Sequence, residues 1–375
     1  MDKYLYWLDN ISGLGTKGKE RLLEAFGTGE EIYKAKEEHL TLVLGETKLE
    51  HLLEMRRIWD VEQEYNRLEE KKIYFVCTSD AEYPDKLRHI PDHPFGIYYK
   101  GRLPDSHKLA VAVVGARECS DYGRFVAEEL GKVLGRSGVQ VISGMARGID
   151  GMCQLAALEA GGESYAVLGN GVDICYPQSN HRLYERMPLQ GGILSTYPPG
   201  TPPQPQLFPP RNRIISGLAD VLLVVEAKQK SGTLITVDMA LEQGRDVYAV
   251  PGRVTDRLSD GCNKLIKEGA MVFLSPKEFM EAMKEAFPEK CASLKERVAS
   301  TGSPGLPPIT PEEAVVLETL DLYPQPLEKI REQLQITLTE RGYQSFSKNL
   351  LTILMHLCLK GVAKQNSPGW FSLDM

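Results

Sequence analysis

Apolar residues change their spacing several times along this chain, and each change marks an element. In the middle, Ala110–Val114 and residues 139–143, 165–168 and 221–225 are short runs rich in Val, Ile and Leu with no polar alternation. Such runs suit strands buried on both faces. Between them the spacing turns helical: Tyr122, Phe125, Val126, Leu130, Val133 and Leu134 fall on one face of a 3.6-residue period, and Leu234, Val237 and Leu241 form a later inward face. Strands alternating with helices predict a parallel sheet with crossover helices. Residues 246–251 read as its final strand, and 276–286 as a closing helix. Upstream, a polar helix over 62–71 and strands over 73–77 and 95–100 extend the same α/β domain.

The two ends read differently. Leu40, Val43, Leu44, Leu52, Leu53 and Ile58 predict a compact helical bundle within residues 1–62. Its Gly13-Leu14-Gly15 turn precedes Lys17, Lys19 and Arg21. Two readings stand there: a helix-hairpin-helix clamp on a DNA phosphate, or a plain joint between antiparallel helices. After the α/β domain (63–290), residues 291–311 carry Ser300-Thr301-Gly302-Ser303-Pro304-Gly305, Pro307, Pro308 and Pro311, and read as a linker. The last stretch, 312–375, shows helices at 315–320, around Leu327, Ile330 and Leu334, and around Phe346, Leu350, Ile353, Leu354 and Leu357. A hairpin follows, from Gly361 through Pro368-Gly369 to Leu373, so a winged-helix domain is expected. Such a domain can read duplex DNA. With only Lys348 and Lys360 near its third helix, a protein-contact or accessory role is favoured.

The chemistry gathers where the central strands end. Open parallel sheets bind ligands at the carboxyl ends of their strands. Here those ends read Gly115-Ala116-Arg117, Gly144-Met145-Ala146-Arg147-Gly148 and Gly169-Asn170-Gly171, and the fourth leads through Lys228 to Ser231-Gly232-Thr233. Glycine lets backbone N–H groups approach a ligand, and the following helix N-termini favour anions. Ser120 or Asp121 can cap the first of those helices. Asn180 is a candidate cap for a later one, with His181 and Arg182 within reach of a phosphate. Tyr184 either stacks on a base or lies partly in the core. Beyond a proline-rich loop (197–210), Arg211-Asn212-Arg213 opens another helix. The pair of arginines favours anion binding, although pairing with a neighbouring carboxylate also fits. The dinucleotide fingerprint Gly-x-Gly-x-x-Gly and the P-loop motif are both missing.

At 375 residues and 42% hydrophobic, the chain can bury a large core and hold two or three domains. No apolar run approaches about 18 residues, so no membrane span is predicted. Met1-Asp2-Lys3-Tyr4 lacks the basic start and apolar core of a signal peptide, and the seven cysteines form no Cys-x-x-Cys pair. Reduced thiols in a cytoplasm are therefore expected. No metal-ligand spacing or Ser/His/Asp constellation stands out, and neither metal nor cofactor is expected. A formal charge of −7 opposes wholesale coating by nucleic acid but not one basic groove.

Val113-Val114-Gly115-Ala116-Arg117, Ser143-Gly144-Met145-Ala146-Arg147-Gly148-Ile149-Asp150, Phe208-Pro209-Pro210-Arg211-Asn212-Arg213-Ile214-Ile215, Lys230-Ser231-Gly232-Thr233-Leu234-Ile235-Thr236 and the stretch from Gly261 to Ala270 resemble, in this order, the DNA-processing protein A family (DprA, also called Smf). The resemblance covers about residues 65–275. It implies an extended Rossmann-like core between a helix-hairpin-helix or SAM-like domain and a winged-helix domain. It further implies a non-enzymatic protein that binds single-stranded DNA, protects incoming strands in natural transformation and helps load the RecA recombinase. A single-stranded DNA-binding protein is an additional candidate partner. Arg117 corresponds to the family's pocket arginine, and His181 stands where relatives often carry lysine. A homodimer would use the segment from Asn263 through Ile266 to Val272, whose apolar members Leu265, Ile266 and Val272 otherwise read as core. On these grounds the groove is expected to involve Gly115, Arg117, Ser120, Gly144, Arg147, Gly148, Asn180, His181, Tyr184, Arg211, Asn212, Arg213, Lys228, Ser231, Gly232 and Thr233. The competing reading is a nucleotide-binding enzyme of the phosphoribohydrolase-like class, with Glu226 or Glu242 as its catalytic carboxylate.

Overall fold

The computed structural model describes residues 2–292, 294, 309–321, 323–341 and 349–373. The chain forms two compact units, Met1–Glu296 and Arg297–Met375.

The first unit begins with six helices: α1 (Lys3–Asp9), α2 (Thr16–Phe26), α3 (Gly29–Lys34), α4 (Glu37–Leu44), α5 (Glu46–Ile58) and α6 (Val61–Glu70). Then come β1 (Tyr74–Cys77), α7 (Asp85–Arg88), β2 (Gly96–Gly101) and β3 (Ala110–Val114). The alternating part follows: α8 (Asp121–Ser137), β4 (Gln140–Ser143), α9 (Ile149–Glu159), β5 (Glu163–Leu168), α10 (His181–Gln190) and β6 (Gly191–Ser195). After it run α11 (Phe208–Leu218), β7 (Val221–Val224), α12 (Gly232–Glu242), β8 (Asp246–Ala249), α13 (Asp260–Lys267), β9 (Met271–Val272), α14 (Pro276–Ala286) and α15 (Pro288–Cys291).

Among the described residues these strands make one sheet in the order β1-β2-β6-β5-β4-β3-β7-β8-β9. Pairing is antiparallel at β1–β2 and β2–β6 and parallel elsewhere. From β3 the chain winds outward to β4, and it later returns to lay β7 on the other side of β3. That reversal opens a crevice at the carboxyl end of β3, where such sheets bind ligands.

Side-chain alternation along β3 explains the layers. Val111 and Val113 join the core formed with α8, α9 and α14, while Ala110, Ala112 and Val114 join the one formed with α11 and α12. The N-terminal helices share a third core with β1, β2, β6 and α10, through residues such as Trp7, Phe75, Tyr98, Met187 and Ile193. Tyr98 is buried in that core, and its hydroxyl bonds Asp9 at 2.7 Å and Asn10 at 2.9 Å.

Several expectations change here. The stretch 191–195 is a strand that its two glycines conceal in the sequence. The sheet does not end at β8 but continues to the two-residue edge strand β9, too short to show a period. Ile58 is exposed rather than part of the bundle's core. Lys19 is buried beside the Gly-Leu-Gly turn, with its ammonium 2.7 Å from Asp9 and 5.3 Å from the centre of the Phe95 ring. It is therefore committed to folding and cannot also hold a phosphate.

The second unit contains α16 (Pro311–Thr319), β10 (Gln325–Pro326), α17 (Leu327–Arg341), α18 (Leu350–Leu359), β11 (Ala363–Ser367) and β12 (Trp370–Leu373). The strands form an antiparallel sheet in the order β10-β12-β11. Val316, Ile330, Leu354, Leu357 and Phe371 are central to its core. Most of the expected linker, together with Phe346 and Lys348, lies outside the described residues.

Candidate nucleic-acid interface

The crevice beside β3 is a cleft of about 640 Å³. The loop after β3 supplies Gly115, Ala116, Arg117 and Glu118, and the loop after β7 together with the start of α12 supplies Lys228, Ser231, Gly232 and Thr233. Tyr176, Phe208, Arg211 and Asn212 also line the cleft.

Polar contacts hold the loops in place. Ser120 is the N-cap of α8 and accepts a hydrogen bond from Gly123 N at 3.1 Å. Its own N–H and hydroxyl both donate to the buried Glu226 carboxylate, which ties the β3 loop to the β7 loop. Thr233 adds a bond from its hydroxyl to Gly115 O at 3.3 Å. The β4 loop is held as tightly. Gly144 N donates to Asp150 at 3.2 Å and Met145 N to Gln154 at 3.1 Å. The Asn180 amide donates to Met145 O at 2.9 Å and Ala146 O at 3.0 Å. Gly148 turns this loop back at φ +74°, where a Cβ would stand 2.3 Å from Ala116 O. Ordinary residues rarely adopt that conformation, so glycine is needed there twice over.

Arg211 lies beneath the cleft, buried, donating to the carbonyls of Gly144 (3.1 Å) and Val167 and to Asn212 Oδ1 (3.2 Å). Burial pulls its guanidinium down to about 10, with the neighbouring Asp150 carboxylate acting in the opposite direction. Burial likewise pushes the Asp150 carboxyl up, against the pull of Arg211. Arg211 thus joins two strand ends from below. Arg117 and Lys228 instead stand exposed at the cleft. The hydroxyl of Ser231, at the head of α12, is buried with no hydrogen-bond partner among the described residues. The first-turn N–H groups of a helix lack intrahelical acceptors, so this end of the cleft offers donors beside two open cations.

Of the residues expected to form the groove, Gly115, Arg117, Arg211, Asn212, Lys228, Ser231, Gly232 and Thr233 line the cleft. Gly144, Gly148, Ser120 and Asn180 shape its loops. Asn180 makes no capping bond at α10, because its amide is spent on the β4 loop. Arg147, His181, Tyr184 and Arg213 lie outside the lining. His181 is exposed 3.6 Å from Glu185. Tyr184 packs its ring on the core shared with the N-terminal helices and donates its hydroxyl to Val172 O at 2.7 Å. Arg213 donates to Pro210 O at 3.2 Å, in the neighbourhood of Asp92, Tyr197 and Tyr83. Among the cleft-lining residues Arg117 and Lys228 are exposed cations and Arg211 is a buried one. In the expected dimer segment, Asn263 bonds Gly252 through both ends of its amide, Leu265 and Ile266 pack partly on the core, and Val272 is exposed.

The sequence reading missed the aromatic wall. Tyr176 stacks on Phe208 with ring centres 5.6 Å apart and planes 25° from parallel. The Arg117 guanidinium lies 5.6 Å from the Phe208 ring centre. Aromatic–proline pairs at both positions, Tyr176-Pro177 and Phe208-Pro209, were the available signal.

Comparison with known proteins follows the same residues. Positions 74–284 match the model of the DNA recombination-mediator protein A family. The DNA processing protein DprA of Streptococcus pneumoniae is 41% identical over 226 residues, covering 60% of this chain and 80% of that protein. An X-ray structure of DprA from Streptococcus pneumoniae superposes with a TM-score of 0.65 at 35% identity, over 75% of this chain and 98% of the other. DNA processing protein A from Helicobacter pylori, whose structure is described for its single-stranded DNA binding mode, has a TM-score of 0.51 at 26% identity, over 56% and 96% of the two chains.

Proposed function

This chain belongs to the DNA recombination-mediator protein A family, and on that footing we propose that its cleft binds single-stranded DNA without turning it over. The observation that carries this reading is the meeting of Arg117, Lys228 and the head of α12 at the strand-end crevice. Cations beside oriented N–H groups suit successive phosphates. The unpartnered Ser231 hydroxyl supplies a further polar group there. Phosphate contacts carry no base information, so binding tolerates sequence. In this reading the protein shelters incoming strands in the cytoplasm during transformation or recombination and hands them to RecA, with a single-stranded DNA-binding protein as a second partner. The N-terminal helices act as a helix-hairpin-helix or SAM-like module, and the second unit as a winged-helix module for protein contact.

The enzyme reading is weaker. Glu226 is buried and bonded to Ser120, and Glu242 ends α12 at the far side from the cleft-facing Gly232.

Fluorescence anisotropy tests the proposal, with oligothymidine against duplex over a salt series. Selective binding to the strand is expected, with log affinity falling by about 0.7 per contacted phosphate per decade of salt. Arg117→Ala is expected to weaken it about 10- to 100-fold, as loss of a charged hydrogen bond does. No binding at low salt, or release of base or ribose phosphate, sinks the proposal.

A further inference from the structure

The cleft lining holds two unlike sets of residues. One set is Arg117, Lys228 and the polar start of α12, and the other is Tyr176, Phe208, Pro205 and Pro209. A site for phosphates alone has no use for the second set. Tyr176 remains 41% exposed although it is stacked on Phe208. Phe208 is packed by several partners: the Tyr176 ring, and the guanidinium groups of Arg117 at 5.6 Å and Arg211 at 5.9 Å. Tyr176 and Arg117 thus both rest on Phe208, within one nucleotide's reach of each other.

We propose that Tyr176, backed by Phe208, is the stacking platform for one unpaired nucleobase whose phosphate lies at Arg117. This rests on the strand-binding reading and supplies what that reading lacks, a basis for strand choice. Duplex and single strand present the same phosphates, so cations and N–H groups alone do not separate them strongly. A base in a duplex is already stacked on its neighbours and paired across the helix, and reaching Tyr176 would mean giving that up. An unpaired base stacks at little cost. Every base has a π-face, so the platform is tolerant of sequence.

The test compares an oligothymidine with an abasic strand of the same length and sugar-phosphate backbone, binding to the full chain. Wild-type protein is expected to prefer oligothymidine by roughly 5- to 150-fold, the range for a stacked base. Tyr176→Ala is expected to erase that preference while leaving abasic affinity within about twofold, and Tyr176→Phe to retain it. The platform is ruled out by wild-type protein that binds both strands alike. It is equally ruled out by a Tyr176→Ala variant that keeps the wild-type preference. Wild-type protein that binds neither strand would overturn the strand-binding reading as well, so the two failures are told apart.

Discussion

Arg211 and Arg117 both come from arginine-bearing motifs of the sequence yet do different jobs, and burial separates them. Arg211 is buried and bonded to Gly144 O, Val167 O and Asn212. Leaving buried carbonyls without donors costs about 1–3 kcal/mol each. Arg211→Met, which keeps much of the volume, is expected to lower stability by about 2–4 kcal/mol on that basis. Arg117 is exposed, and Arg117→Ala is expected to stay within about 0.5 kcal/mol of wild type. Urea denaturation of both variants checks this contrast. A stable Arg211→Met protein would show that the strand ends hold together without it. Asn180 belongs with Arg211: its amide supports the β4 loop from α10.

At the scale of elements, the loops after β3, β4 and β7 act as one assembly. Glu226 bonds Ser120, Thr233 bonds Gly115, and Ile149 N donates to Ala116 O at 3.2 Å. At Gly148 the β3 and β4 loops lie close together. A side chain there meets Ala116 O and Arg117 O at 2.3 Å and 2.6 Å, in a backbone conformation at φ +74°. Strained backbone of this kind costs about 1–3 kcal/mol. Gly148→Ala is expected to lower stability by at least about that amount and, by displacing Arg117, to weaken strand binding as well. Unfolding midpoints and anisotropy on the same preparation test both effects. Unchanged binding in a destabilised Gly148→Ala protein would uncouple the two loops. The missed strand β6 belongs to this scale too, since it needed close approach of backbones: a Cβ at Gly191 would stand 1.8 Å from Ser164 O.

At the scale of the whole molecule, the edge strand β9 carries the argument. Among the described residues β9 is the last strand in the order, and Met271, Val272 and Leu274 are 43%, 41% and 68% exposed. An exposed apolar strand edge invites pairing with another chain. The homodimer that the family resemblance implies, through Asn263, Ile266 and Val272, would place this exposed edge at its interface, where Asn263 is engaged with Gly252. Val272→Asp is expected to give a folded monomer in light scattering. It is also expected to weaken binding to strands long enough for two clefts, with short-strand affinity unchanged, because two linked sites add avidity. A Val272→Asp protein that stays dimeric would move the interface elsewhere. Among the described residues no helix is long and apolar enough to cross a membrane.

Taken by itself, the sequence determined most elements of the central sheet, though not β6 or β9, and the end of the sheet where open parallel sheets bind ligands. Short apolar runs rich in Val and Ile suit buried strands, helical spacing marked α8 and α12 although Leu241 of the expected inward face is exposed, and glycine-rich ends with arginines marked the crevice. These are local properties, carried by neighbours in the chain. The tertiary structure decided what each charged or aromatic residue does, because that depends on partners far away in sequence. Lys19 is removed from the surface by Asp9 and Phe95. Arg211 is drawn under the cleft by Gly144 and Val167. Tyr184 is turned toward Val172 and the core. Tyr176 and Phe208, 5.6 Å apart in space, meet where the proline-rich loop is bonded to the loop after β5 through Gly200 N to Asp173 and Gly171 N to Thr201 O. Spacing shows which residues share a face of one element; only packing decides which of them still meets solvent.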